Sequence, residues 1–117
     1  MLTWELRFED GKYIRAKEHY SKIRGRSEAR RLYFSFHYGP DPAPAEPMAS
    51  DPVDIRIDKQ SGQPPHMHYN GPGDHIGQDR VSGLALEDVE LFDFLKGIFK
   101  HRSTKHPIHE VFGFTIR

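Results

Sequence analysis

Four stretches of this chain alternate apolar and polar residues with period two, and a fifth repeats near 3.6; that combination restricts the fold most. Leu2, Trp4, Leu6 and Phe8 alternate with Thr3, Glu5, Arg7 and Glu9, as in a strand with one face buried. Asp10-Gly11 follows, and Lys12 to Tyr20 reads as the return strand. An Asp-Gly pair between such runs predicts a hairpin with a type I′ turn, which needs positive φ at both central residues. Arg30 to Tyr38 is a third strand, with Leu32, Phe34, Phe36 and Tyr38 on one face. Val53, Ile55 and Ile57 alternate with Asp54, Arg56 and Asp58, and the turn Gln60-Ser61-Gly62-Gln63 leads into His66-Met67-His68-Tyr69. Five strands with tight links predict an antiparallel meander with one face buried.

Residues 87–101 change period. At 100° per residue, Leu91, Phe92, Phe94, Leu95, Ile98 and Phe99 share an arc of about 160°, opposite Glu90, Asp93, Lys96, Gly97 and Lys100. Acids open this segment and Lys100, His101 and Arg102 close it, which suits the helix dipole. Val111 to Ile116 reads as a last strand or an extended tail. The expected fold class is α+β: a meander of about five strands with one C-terminal amphipathic helix on its apolar face, in a single domain over residues 1–117.

Eight of the nine prolines fall between Pro40 and Pro72, so irregular chain concentrates there; Gly39 to Pro52 reads as the one long loop. The 17 basic and 17 acidic residues cancel overall but not locally. Residues 1–38 hold nine Lys/Arg against five Asp/Glu, residues 39–58 one against five, and residues 59–117 seven of each. The absence of cysteine excludes disulfides, thiolate metal ligands and a thiol nucleophile. No apolar run is long enough for a membrane span and the N-terminus does not read as a signal peptide, so a cytoplasmic protein without membrane contact is expected. No cofactor is indicated.

The chemistry concentrates at His66-Met67-His68. Residues i and i+2 of a strand share a face, and Met67 and Tyr69 belong to the core, so both imidazoles point away from it. Keeping the core faces aligned requires paired residue numbers with an even sum. Arg56 opposite His66, or Asp58 opposite His66, then gathers Asp54, Arg56, Asp58, His66 and His68. His37, with Tyr33 and Ser35, joins them if the third strand is a neighbour. Three readings fit this polar cluster. In the first, the histidines divide proton abstraction and donation, an Asp orients an imidazole and Arg56 stabilises negative charge, which is sufficient for metal-independent RNA cleavage. His37, Arg15, Lys17, Arg24 and Arg26 would then bind the substrate, the cations attracting its phosphates. In the second, the His-x-His pair binds a metal, completed by His75, Asp74, His37 or an Asp, although no residues at diagnostic spacing follow. In the third, the face is simple cross-strand pairing or a non-catalytic docking surface for a protein partner.

Ile55-Arg56-Ile57-Asp58, then Pro65-His66-Met67-His68, then Leu86-Glu87-Asp88-Val89 before the helix, resembles the TumE-type family of small toxin–antitoxin proteins over residues 53 to about 95. The resemblance implies a growth-inhibiting toxin of α+β fold with a cognate antitoxin as partner. It also places Arg56, Asp58, His66 and His68 first among functional candidates. An exposed edge such as Leu2 to Phe8 could in addition pair with a second copy.

Overall fold

The computed structural model of the chain describes residues 1–22, 25, 29–41, 52–60, 62–72 and 75–117. Six strands follow one another in space as in sequence: β1 (Leu2–Arg7), β2 (Lys12–Lys22), β3 (Ala29–Pro40), β4 (Pro52–Lys59), β5 (His66–Pro72) and β6 (Ile76–Gly77). Each is antiparallel to the next, so the sheet is the expected meander with one strand added. Two residues are too few for β6 to show a period. The fold is α+β.

The first hairpin differs from the type I′ expectation. Phe8 N–H donates to Lys12 O at 2.8 Å and Gly11 N–H to Phe8 O at 3.2 Å, so Glu9, Asp10 and Gly11 form a three-residue link. Within this link only Gly11 has positive φ, at 86°. This is the type I turn closed by a left-handed glycine that three-residue hairpins favour.

A second departure reverses the strand parity. The β2–β3 register shifts between His19 and Tyr20, pairing Tyr33 with His19 but Arg31 with Tyr20. The extra residue is Leu32, and the bulge turns Arg31 rather than Leu32 onto the apolar face. There the Arg31 guanidinium lies 4.0 Å from the centre of the Phe34 ring and 3.5 Å from Glu18. It also donates to Val89 O at 2.9 Å and Glu87 O at 2.8 Å, fixing the segment that leads into the helix.

That helix, α1 (Leu91–Thr104), starts later than the charge pattern predicts, because Leu86–Asp88 forms a separate 3₁₀ turn. Asp93 Oδ2 accepts the Glu90 N–H at 3.2 Å, a cap contributed from within the helix. The buried face centres on Phe94, Gly97 and Ile98, rotated from the predicted arc, while Phe92 and Phe99 are exposed. The cause is a second helix, α2 (Ile108–Phe112), which takes the first two residues of the Val111 to Ile116 stretch expected as a strand or tail and leaves Thr115–Ile116 as a strand. Its Phe112 ring sits where a Gly97 Cβ would be, 2.5 Å from the nearest ring atom, so Gly97 is a contact surface and not part of a solvated face. At the other end Arg102 bonds Asp10 at 3.0 Å and the Tyr38 hydroxyl at 2.9 Å, and covers the Phe8 ring.

The apolar face of the sheet contributes Ile14, Phe36, Ile55, Ile57 and Met67, all fully buried, with Phe94 and Ile98 packed above. Leu2 and Trp4 are 64% and 36% exposed, so the half-buried reading of the first strand fails at its outer end. β1 is one edge strand of the sheet and β6 the other, and α1 packs over β3, where Phe94 meets Phe36 with ring centres 5.5 Å apart. Among the described residues no helix is long and apolar enough to cross a membrane.

The tail closes on a two-stranded ladder of β7 (Val81–Ser82) with β8 (Thr115–Ile116). Gly83 beside it has φ +90°, and a Cβ there would collide with the Gly113 carbonyl oxygen. Both the left-handed backbone and a rigid carbonyl oppose a side chain. Gly83→Ala is expected to destabilise the fold by about 1–3 kcal/mol, read as a lowered urea midpoint with unchanged slope. An unchanged midpoint would show that the tail ladder adds nothing to the cooperative fold.

Candidate functional site

The β4–β5 register pairs Asp58 with His66 and Arg56 with His68, one of the two arrangements that core alignment allows. The β3–β4 register sets His37 opposite Arg56 and Ser35 opposite Asp58. Across β2, Arg15 stands opposite His37 and Lys17 opposite Ser35. Five of the sequence-predicted residues (Arg56, Asp58, His66, His68 and His37) therefore share one face across three strands, and Arg15 and Lys17 extend the row. Arg24 and Arg26 lie outside the described residues, as does Asp74.

This face is not the solvated surface that the strand pattern predicts. Asp58 and His68 are each 2% exposed, His37 4% and His66 9%. Exposed cross-strand pairing does not describe it, and a partner docking on this face would meet little of these side chains. Period-two alternation says only which residues share a face; it carries no information on whether the polar side is covered.

Asp58 is the hub. Its Oδ2 lies 2.8 Å from Arg56 Nε, 3.4 Å from His66 Nε2 and 3.8 Å from His68 Nε2. Burial alone would raise its pKa. The His66 hydrogen bond, the Arg56 charge and the Ser35 hydroxyl outweigh burial and hold the carboxyl below its ordinary value. His68 is shifted down because burial disfavours its charged form; Asp58 opposes that shift, and His66, Arg56 and His75 add to it. Burial of His68 thus favours its neutral form. Its Nδ1 and the Arg56 Nη1 are buried without a hydrogen-bond partner among the described residues.

Asp54 is not brought to the cluster. The β4–β5 pairing skips the Asp54–Asn70 position, where Asn70 takes a positive φ of 52°. Both Asp54 carboxylate oxygens instead accept from Lys12 Nζ, at 2.9 and 3.1 Å. It lines a surface depression with Asp10, Tyr38, His101 and Arg102, at the C-terminal end of α1. Arg15 is also partly committed, its Nε 3.2 Å from Glu5 Oε1.

His75 is the residue that strand reasoning leaves off the face, because it lies in the link ahead of β6. Its ring stacks on His66 with centres 4.3 Å apart and planes 3° from parallel, and meets His68 edge-on at 4.7 Å. His66 and His68 are themselves edge-on at 5.1 Å. Unlike them, His75 is exposed. The available signal was its place among the candidate metal ligands, as a third histidine seven residues after His68. No protein-family model, curated protein or solved structure matches this chain. The site is therefore read from its own residues.

Proposed function

We propose that this chain is a small toxin-type protein that cleaves RNA by acid–base chemistry at the histidine cluster. The observation that supports this reading is the stacking of exposed His75 on His66, which is itself only 9% exposed, with Asp58 3.4 Å from His66. RNA carries its own nucleophile, so the protein needs a base, an acid and positive charge. In this scheme neutral His75 takes the 2′-hydroxyl proton as the 2′-oxygen bonds to phosphorus. The bond from phosphorus to the 5′-oxygen breaks, and His66 as imidazolium gives that oxygen its proton. The products are a 2′,3′-cyclic phosphate and a 5′-hydroxyl end. Asp58 Oδ2, 3.4 Å from His66 Nε2, holds that ring in place. Arg56 adds positive charge beside the site. His68 is too enclosed to touch substrate and acts as a positioning residue against the other two rings. No metal enters the scheme, and a cognate antitoxin is the expected protein partner.

With chelator present, the purified chain is expected to cleave RNA to cyclic-phosphate ends. His66→Ala is expected to slow this by about 10²–10⁴-fold. His75→Ala, at an exposed position, should slow it comparably while leaving the circular dichroism spectrum and urea midpoint unchanged. Full activity in both variants, or products with 5′-phosphate ends, would overturn the proposal.

A further inference from the structure

We infer that His66, His68 and His75 also form a binding site for one divalent ion of the zinc class, and that ion binding and RNA cleavage exclude each other. Each of the three offers one ring nitrogen, and these nitrogens all lie within 4.8 Å of one another. A tetrahedral ion bound at about 2.0–2.1 Å holds its imidazole nitrogens roughly 3.4 Å apart. The nitrogens therefore have to draw in, and the His75 ring has to turn out of its parallel stack on His66 so that both lone pairs meet at the ion. His75 is exposed and lies next to the two-residue strand β6, so it is the ligand with room to move.

Two further features suit an ion. Asp58 Oδ2 lies 3.4 Å from His66 Nε2 and 3.8 Å from His68 Nε2, as an outer carboxylate does when it orients metal-bound imidazoles. The Nδ1 of His68 is buried without a hydrogen-bond partner among the described residues, and an imidazole holding its proton toward Asp58 presents a lone pair there. Three nitrogen ligands select zinc, cobalt or nickel over magnesium or calcium, which prefer oxygen. Three protein ligands leave the fourth tetrahedral position to water.

The exclusion rests on the RNA-cleavage reading. The ring lone pair that binds an ion is the one that accepts or carries the catalytic proton, so an occupied site has neither base nor acid. Zinc is the probe, titrated into the full chain by calorimetry, with cobalt(II) absorption reporting tetrahedral geometry. One equivalent is expected to bind, at least about tenfold more weakly in His75→Ala. His106→Ala, which removes an exposed histidine elsewhere, should bind as the parent does. Absence of stoichiometric binding, or equal affinity in His75→Ala, overturns the site. Zinc is further expected to slow RNA cleavage at least tenfold, with chelator restoring it. Cleavage that persists at saturating zinc, or that requires zinc, overturns the exclusion. Binding of zinc by a chain that cleaves no RNA leaves the site standing and removes the RNA reading; RNA cleavage without zinc binding does the reverse.

Discussion

Replacing Asp58 with alanine is expected to lower the unfolding free energy by about 3–5 kcal/mol. The carboxylate is the counter-charge for Arg56 at 2.8 Å and accepts from His66 and Ser35, all in an interior where Asp58 itself is 2% exposed. Removing one partner of a buried pair costs more than the pair contributes, because the guanidinium stays behind without compensation. Asp58→Asn keeps the shape and some hydrogen bonding, and should lose about half as much. Acid provides a second readout. The folded-state pKa is depressed below the unfolded value of about 3.9, so this group stabilises the fold above that pH, and its contribution is lost as pH falls through the folded value. The groups that face it are Arg56, His66, His68 and Ser35. Urea midpoints measured with chelator below about pH 4 should therefore fall more steeply in the parent than in Asp58→Asn. Equal slopes would mean that the carboxylate is not the linked group.

That Asp58 and His66 share a face was legible because parity is strict: aligned core faces leave only even-sum registers, and both natural ones gather these residues. Parity alone does not choose between Arg56 and Asp58 as the partner of His66. A meander was legible, but the strand order that brings His37 beside Arg56 was not, because the long link over residues 39–52 leaves the neighbour of the third strand open. Where the reading of a strand face failed, a local backbone event had intervened, shifting the register at Leu32 but leaving it the same on either side of Asn70. The Leu32 bulge sends Arg31 to the helix side, and positive φ at Asn70 accompanies the missing Asp54–Asn70 pair. The bulge at Leu32 has no sequence mark, whereas Asn70-Gly71 is a pair that accepts left-handed backbone and interrupts a strand. His75 escaped the strand reading for another reason. Its position depends on how the chain returns after β5, and periodicity says nothing about a link. Burial of the polar face was equally invisible, because the same alternation serves a solvated face and a covered one.

Phe94 provides the test of what holds the helix to the sheet. Arg31 and Arg102 tie its two ends, and a polar account would give them the main part. Phe94 is fully buried, with its ring 5.5 Å from Phe36 and 5.9 Å from Phe112, so truncation opens a cavity between sheet, α1 and α2. The expected cost of Phe94→Ala is about 3–5 kcal/mol. By contrast, Asp10 is half exposed, and an ion pair of that kind contributes about 0–1 kcal/mol. The Tyr38 hydroxyl adds roughly one ordinary hydrogen bond of about 1 kcal/mol. Arg102→Met, which keeps an apolar stem over Phe8, should therefore cost about 1–2 kcal/mol. Urea denaturation of the two variants gives the ranking directly. Phe94→Ala should have the lower midpoint by a wide margin; the opposite order would mean that the polar ties, and not the apolar contact, keep α1 on the sheet.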